Sequence, residues 1–217
     1  MLETICDVFE ESYRRGWITS RDGNASVRYA DQDYFYITPA GVRKQNMQPE
    51  MFKKLEWTTR TRAVPPFLEH CWSEAEHTDI SRGLKPSAEL PLHQQLQSSL
   101  DTPVRVVLHL HPTYTIAADR AQINLARMAS EFPELCLHTR VGPPVGVVKE
   151  KSLELADATT GALGLDPQTG KLNYDIVTIS HHGVVAVSTS PWRAFEHIER
   201  LEHICKIVLV SGVNYGL

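Results

Sequence analysis

Hydrophobic residues recur at every third or fourth position in several parts of the chain, a period that predicts helices. Leu2, Ile5, Phe9 and Tyr13 share one face of the first, an amphipathic helix that should end near Gly16. A further helix is predicted to begin at Ser87, which would cap its first turn, and another at Ser190, with Pro191 in the first helical position. Between them, one or two helices are predicted at 113–127 and one at 151–163.

Shorter runs rich in β-branched and aromatic residues predict strands. Val27–Tyr29 and Tyr34–Thr38 should pair as a hairpin across an intervening turn. Val104–Leu110 and Asp175–Ser180 are two further strands, and weaker patterns lie near 55–58 and at 141–148. Because strands and helices alternate without a strict βαβ order, we expect a mixed sheet with helices on both faces.

The composition is that of an ordinary globular protein. The 217 residues are 42% hydrophobic and 22% charged, which favours a single domain over residues 1–217. The formal net charge of -4 provides no basic field, so a nucleic-acid partner is disfavoured. The N-terminus lacks a basic segment, and no apolar run reaches the about 18 residues that a membrane span needs. We therefore expect a soluble, cytoplasmic protein without a membrane partner.

Two histidines at the end of a predicted strand are the first candidates for chemistry. The strand 104–110 runs into His111 and Pro112, and Pro112 cannot continue the ladder. Because side chains alternate along a strand, His109 and His111 point the same way and could share a cation. Taken alone, the pair fits two exposed histidines equally well. The strand 175–180 runs into His181-His182-Gly183, which supplies a further imidazole.

Two other segments allow a structural or a functional interpretation. Glu89 lies in the first turn of the helix predicted from Ser87, where it would complement the positive helix end or stand beside a metal. Residues 38–41 are typical of a type I turn, which the local sequence favours. The alternative is an anion cradle of backbone N–H groups, aided by the polar side chains of Asn24 and Ser26 and the Thr38 hydroxyl.

Five motifs, in this order and approximate spacing, resemble the class II aldolase/adducin family. They are Gly23-Asn24-Ala25-Ser26, Ile37-Thr38-Pro39-Ala40-Gly41, Ser87-Ala88-Glu89, His109-Leu110-His111-Pro112 and His181-His182-Gly183. The similarity runs from about Trp17 to Leu201. The family comprises fuculose-phosphate and rhamnulose-phosphate aldolases, a ribulose-phosphate epimerase, a methylthioribulose-phosphate dehydratase and the metal-free adducin head.

The resemblance implies a fold, a cofactor and an assembly. The fold is α/β, with three α/β/α layers around a central mixed, largely antiparallel sheet. The cofactor is a divalent metal, Zn²⁺ in the aldolases, held by three histidines. The assembly is usually a homotetramer with the active site between neighbouring subunits. By motif position the metal ligands are His109, His111 and His182, and Glu89 falls on the catalytic acid/base. The positions on or beside the phosphate site correspond to Asn24, Thr38, Gly41 and Ser87.

Three differences from the family concern the substrate and the reaction rather than the metal. Ala40 and Ala88 stand where family members commonly carry serine or threonine, which removes two hydroxyls from the phosphate pocket. We expect the C-terminal segment that contributes a catalytic tyrosine in fuculose-phosphate aldolase to be absent or reduced to Tyr215. A second tyrosine of that aldolase has no counterpart near Ser130–Pro133.

These residues predict a metal-dependent aldolase that cleaves a ketose or ketose phosphate through a zinc-stabilised enediolate. Glu89 would move the proton, provided that burial raises the pKa of its carboxyl towards neutrality. An epimerase, dehydratase or decarboxylase of a sugar phosphate or sugar acid phosphate could use the same metal and carboxylate. A non-catalytic, adducin-like interaction module is disfavoured, because it would have no use for the three histidines and the glutamate.

Overall fold

The computed structural model describes residues 1–30, 32–57, 72–74, 80–99 and 104–213. Within these ranges the helices are α1 (Leu2–Arg14), α2 (Leu90–Ser99), α3 (Thr113–Arg120), α4 (Leu125–Glu131), α5 (Pro133–Cys136), α6 (Leu153–Ala162) and α7 (Pro191–Ser211). The strands are β1 (Asn24–Arg28), β2 (Tyr34–Ile37), β3 (Lys53–Trp57), β4 (Trp72–Glu74), β5 (Arg105–Leu110), β6 (Ile176–Ile179) and β7 (Gly183–Ser188). Two short 3₁₀ turns lie at Lys44–Asn46 and Pro49–Met51.

One sheet organises the chain. Its strand order is β4-β3-β2-β1-β5-β7-β6, and each neighbouring pair is antiparallel. Among the described residues, parallel pairing is limited to two isolated bridges at the β6 edge, Val141–Ile176 and Val145–Ile179. The predicted α/β class with a mixed, largely antiparallel sheet is confirmed.

Helices cover both faces of the sheet because alternate strand residues point to opposite sides. Val106, Leu108 and Leu110 of β5 belong to the larger core, which includes residues of α1 and α7. Val107 belongs to a second core, with residues of α2 and α6. Burial of each such side chain stabilises the fold by roughly 1.5–3 kcal/mol. The two cores give the predicted three layers.

Only some of the helices begin at the capping residues predicted from the sequence. Ser190 accepts a hydrogen bond from the backbone N–H of Arg193, and α7 begins at Pro191 as predicted. The helix predicted from Ser87 begins only at Leu90, so Ser87 is not its cap. The region 113–127 contains two helices, α3 and the first part of α4, as predicted, and the short helix α5 follows.

Strand β7 has no counterpart among the predicted strands. It lies between β5 and β6, and five of its six residues are buried. Residues 184–187, three valines and one alanine, form the continuous apolar run that is typical of a buried strand. Strand β1 also begins earlier than predicted, at Asn24, which places that residue and Ser26 on the sheet itself.

No helix in the described part of the chain is long and apolar enough to cross a membrane. Residue 58 at the end of the predicted strand 55–58, residue 31 in the hairpin turn and Tyr215 lie outside the described residues.

Candidate metal centre

The three histidines predicted as metal ligands lie together at one end of the sheet. His109 is on β5, His111 follows that strand, and His182 is in the turn between β6 and β7. One ring nitrogen from each lies within 4.8 Å of the others. The Nε2 atoms of His109 and His111 are 2.9 Å apart, a separation that requires a shared proton or a cation between them. Around tetrahedral zinc, neighbouring ligand nitrogens are about 3.3 Å apart.

The protonation of these imidazoles fits a metal ligand set. Nδ1 of His109 donates a hydrogen bond to the Val184 carbonyl at 2.8 Å, which leaves Nε2 unprotonated and directed into the cluster. Burial, helped by the neighbouring histidines, lowers the pKa of His111 to about 3 and also lowers the pKa of His182. The neutral imidazole is the form that binds a metal. The donor set therefore suits a divalent cation.

Gly183 allows this close approach. A Cβ atom at Gly183 would lie 2.4 Å from the Leu110 carbonyl oxygen and 2.7 Å from Cδ2 of His111. Such distances are far below van der Waals contact, so only glycine fits. His181 has a positive φ of 63°, and its N–H donates to Asp119 outside the cluster. Of the two adjacent histidines, the structure places His182 in the cluster.

Glu89 lies beside the histidines. Its Oε2 is 3.4 Å from Nε2 of His109, its Oε1 is 3.5 Å from Nε2 of His182, and it is 6% exposed. Burial alone would raise the pKa of Glu89, but attraction to His109 in its protonated form, a hydrogen bond from Asn24 and attraction to protonated His182 together lower it to about 2. The expectation that burial moves this pKa towards neutrality is therefore wrong. Glu89 is an ionised carboxylate at neutral pH.

A turn stabilised by Ser87 holds Glu89 in place. Oγ of Ser87 accepts a hydrogen bond from the Glu89 backbone N–H at 3.3 Å. The Ser87 N–H donates to the Thr38 carbonyl, and the Ala40 N–H donates to the Lys85 carbonyl. These bonds join the two segments predicted to bind phosphate. Both segments therefore lie next to Glu89.

The predicted phosphate-binding residues have different surroundings. Thr38 is fully buried and accepts from the Ala25 N–H, and the Asn24 amide is bonded to Glu89 and His93. These two side chains are already used inside the protein. Gly41, with a φ of 74°, is exposed on the turn. The N–H groups of Gly41 and Ala88 have no hydrogen-bond partner among the described residues.

A family model described as "Class II Aldolase and Adducin N-terminal domain" matches residues 3–209. The chain belongs to the class II aldolase and adducin family. The methylthioribulose-1-phosphate dehydratase of Komagataella phaffii is 22% identical over 214 residues, which cover 94% of this chain and 80% of that protein. The rhamnulose-1-phosphate aldolase of Bacteroides thetaiotaomicron is 26% identical over 203 residues, 88% of this chain and 68% of that protein. A solved sugar-phosphate aldolase from Thermotoga maritima has the same fold, with a TM-score of 0.73 at 22% identity over 98% of this chain and 97% of that one.

The family expected from the five motifs is thereby confirmed. The chain is an enzyme of the class II aldolase superfamily and carries a three-histidine site that could hold a metal ion. The identity of the metal and the roles of the individual site residues stay predictions.

Several buried polar residues near Glu89 in this class II aldolase-family chain were not predicted from the sequence. His93 and Gln97 are fully buried, and Nδ1 of His93 lies 2.7 Å from Oγ of Ser26. Burial lowers the pKa of His93 to about 3. Ser26 is itself fully buried on the sheet, so it cannot belong to the anion cradle considered for it. Glu89, His93 and Gln97 are spaced four residues apart, and this spacing could have indicated that they share a helix face.

The arrangement combines two chemical capacities. Three imidazoles are the ligand set of a metal that keeps a position open for substrate. A carboxylate 3.4–3.5 Å from two of those imidazoles could take a proton from a carbon next to a carbonyl group. Together they suit reactions that begin with proton removal beside a carbonyl.

Proposed function

We propose that this chain is a metal-dependent lyase that removes water from a ketose phosphate. The observation that carries the proposal is the ionised, buried Glu89 beside His109 and His182. An ionised carboxylate can accept a proton, and Lewis-acid activation of the substrate carbonyl would offset the weak basicity that its low pKa implies. The name of the Komagataella phaffii relative, a methylthioribulose-1-phosphate dehydratase, supports dehydration over the carbon–carbon cleavage predicted from the sequence.

His109, His111 and His182 would hold the divalent cation, most simply Zn²⁺, which when bound acts as a Lewis acid on the substrate carbonyl. Glu89 would take the proton from the carbon next to that carbonyl. The electron pair of the broken C–H bond then forms a C=C bond, and the hydroxyl on the following carbon leaves. Protonated Glu89 returns its proton to this hydroxyl, so that water departs and the carboxylate is regenerated. The resulting enol becomes a ketone by tautomerisation.

The substrate phosphate would bind where the exposed residues 40, 41 and 88 meet the buried Ser87. The unpartnered N–H groups of Gly41 and Ala88 and the Ser87 hydroxyl are the donors available there. Neighbouring backbone N–H groups of this kind form a common anion site. Because Glu89 follows Ala88 directly, the phosphate would be anchored close to the reacting carbons.

Aldol cleavage is the second candidate. The relative from Bacteroides thetaiotaomicron, a rhamnulose-1-phosphate aldolase, favours it. In that reaction Glu89 would deliver a proton to the carbon left by C–C bond cleavage instead of removing one first. The absence of a tyrosine at residues 130–133 distinguishes this chain from the fuculose-phosphate aldolase with which its sequence was compared above.

Product analysis separates the two reactions. The zinc-loaded protein is incubated with methylthioribulose 1-phosphate, rhamnulose 1-phosphate and other ketose phosphates, and the products are identified by mass spectrometry. Dehydration gives one product that keeps every carbon and lacks one water. Aldol cleavage gives dihydroxyacetone phosphate and an aldehyde. Cleavage without any dehydrated product would overturn the proposal.

The homotetramer and the cytoplasmic location stay predictions. Light scattering at micromolar concentration tests the first, and a monomer would count against an active site shared between subunits.

A further inference from the structure

Five buried side chains form an unbroken hydrogen-bonded row that ends at Glu89. Nε2 of Gln97 lies 2.8 Å from Oγ of Ser26, which lies 2.7 Å from Nδ1 of His93. Nε2 of His93 is bonded to Oδ1 of Asn24. Nδ2 of Asn24 lies 2.9 Å from Oε2 of Glu89. All five residues are buried, and three of them are fully inaccessible to solvent.

The row lies between α2 and β1. Glu89, His93 and Gln97 are four residues apart and therefore face the sheet together, while Asn24 and Ser26 alternate on β1 with apolar Ala25. Apolar side chains would fill this space without any hydrogen-bonding requirement, whereas buried polar groups are tolerated only when they are partnered. A fully polar row in such a place calls for a role beyond packing.

The carboxylate determines the direction of every bond in the row. Glu89 can only accept, so Asn24 presents its NH₂ group to Glu89 and its oxygen to His93. Nε2 of His93 must then carry the ring proton, which leaves Nδ1 to accept from the Ser26 hydroxyl. Oγ of Ser26 in turn accepts from the Gln97 amide.

The opposite end of the row gives the same direction independently. The Gln97 amide also lies 3.4 Å from the backbone carbonyl oxygen of Arg105, which can only accept. Nε2 of Gln97 therefore faces both Arg105 and Ser26 as a donor. Every donor in the row points towards Glu89, and aligned hydrogen bonds of this kind strengthen one another.

We propose that His93, with Ser26 and Gln97 behind it, is a positioning residue that acts on Glu89 through Asn24. The row holds Oε2 of Glu89 on the Asn24 amide and leaves Oε1 directed towards His182 and the substrate. This inference rests on the proposed role of Glu89 as the proton carrier. It assigns a function in the reaction to three residues that touch neither the metal ligands nor the substrate.

Two isosteric variants of His93 test the proposal. In His93→Gln the amide NH₂ takes the place of Nε2–H and can still donate to Asn24, so kcat should stay close to that of the wild type. In His93→Asn the shorter amide reaches only the Ser26 side, so kcat should fall by about 10- to 100-fold, as for other supporting residues of active sites. KM should change little in either variant, because neither side chain touches the substrate. Equal losses in the two variants would overturn the proposal.

A spectroscopic measurement on the wild type is independent of the reaction. In protein labelled with ¹⁵N-histidine, His93 should be the neutral tautomer protonated at Nε2, and the His93→Gln spectrum assigns its signal. His109 should show the opposite tautomer, protonated at Nδ1 towards Val184. A proton on Nδ1 of His93 would reverse the row and refute the inference, whatever reaction the enzyme catalyses.

Metal content distinguishes this failure from that of the proposed function. Both His93 variants should bind as much zinc as the wild type, because the three ligand histidines are unchanged. If Glu89→Gln kept full turnover while the His93 tautomer was as expected, the proposed function would fail and the hydrogen-bonded row would remain. If Glu89→Gln were inactive and both His93 variants fully active, only the positioning role would be lost.

Discussion

At strand β1 the two faces of the central sheet bury side chains of opposite character. On β1, Ala25 and Val27 point into the larger apolar core, while Asn24 and Ser26 point towards α2 and take part in hydrogen bonds. On β5 the larger-core residues Val106, Leu108 and Leu110 alternate with Val107 of the second apolar core and with His109 of the histidine cluster.

The difference separates stability from chemistry. An apolar face tolerates any side chains of suitable volume, and its contribution to folding follows the area buried. A buried polar face is acceptable only when each donor meets an acceptor, so its residue types are far more constrained. We therefore expect substitutions on the α7 side to change the free energy of unfolding. Substitutions of the buried polar side chains on the α2 side should change metal binding or turnover instead.

The largest effect should come from the metal ligands. His182→Ala should remove the metal and all measurable turnover, because a site built from three imidazoles loses most of its affinity with two. His181→Ala is the matched control, since His181 is adjacent in sequence but outside the cluster. Metal analysis of both purified variants decides the matter. Loss of metal from the His181 variant alone would show that the wrong histidine was assigned.

Glu89→Gln should leave the metal bound and the fold intact but lower kcat by roughly 10²- to 10⁴-fold, because an amide cannot carry the proton. The measurement is steady-state turnover with parallel metal analysis. Wild-type rates in this variant would reduce Glu89 to a buried charge that satisfies Asn24. The α2 face would then lose its proposed chemical role.

Ile198→Ala tests the other side of the comparison. Ile198 lies on α7 and is fully buried in the larger core, so truncation should lower the free energy of unfolding by about 2–5 kcal/mol. The kcat of the folded variant should not change. Ile207→Ala is the control, because Ile207 is on the same helix but 41% exposed and should cost much less. Denaturant unfolding, with activity measured at low temperature, tests both statements. An equal loss of unfolding free energy in the two variants would contradict them.

The apolar side could be predicted from the sequence to a greater extent than the polar side. The sequence predicted the helix α7, on which Phe195 and Ile198 are buried, and strand alternation placed His109 and His111 on one side. Periodicity shows which residues of one element share a face, but not which faces meet. The row from Gln97 to Glu89 exists only because α2 lies on β1, and neither element indicates this alone.

The same limit applies to the segments predicted to bind phosphate. Asn24 and Thr38 match family positions by order along the chain, yet the structure uses their side chains within the protein. Which partner a side chain chooses depends on its three-dimensional neighbours. The positive φ of His181, which separates it from His182, likewise comes from the β6–β7 turn and the Asp119 contact rather than from residue type.

The smallest predicted effect concerns the exposed edge where the polar face meets solvent. Ala40 and Ala88 lack hydroxyls there, and both residues are exposed, so a serine at 88 fits without displacing the core. A hydrogen bond to a charged group contributes about 1.5–3 kcal/mol, and each 1.4 kcal/mol is roughly tenfold in affinity. Ala88→Ser should therefore raise kcat/KM for a phosphorylated ketose by about tenfold or more, with little change for the same ketose without phosphate.

Ala126→Ser on α4 controls for adding an exposed hydroxyl to a helical region away from this turn. The comparison needs kcat/KM for both forms of one ketose in the wild type and in the two variants. The backbone N–H groups of Gly41 and Ala88 should give the wild type some preference for the phosphate already. If that preference is many thousandfold and the serine at 88 changes nothing, the phosphate is bound fully without a hydroxyl donor at residues 40 and 88. The two alanines would then have no part in selecting the substrate.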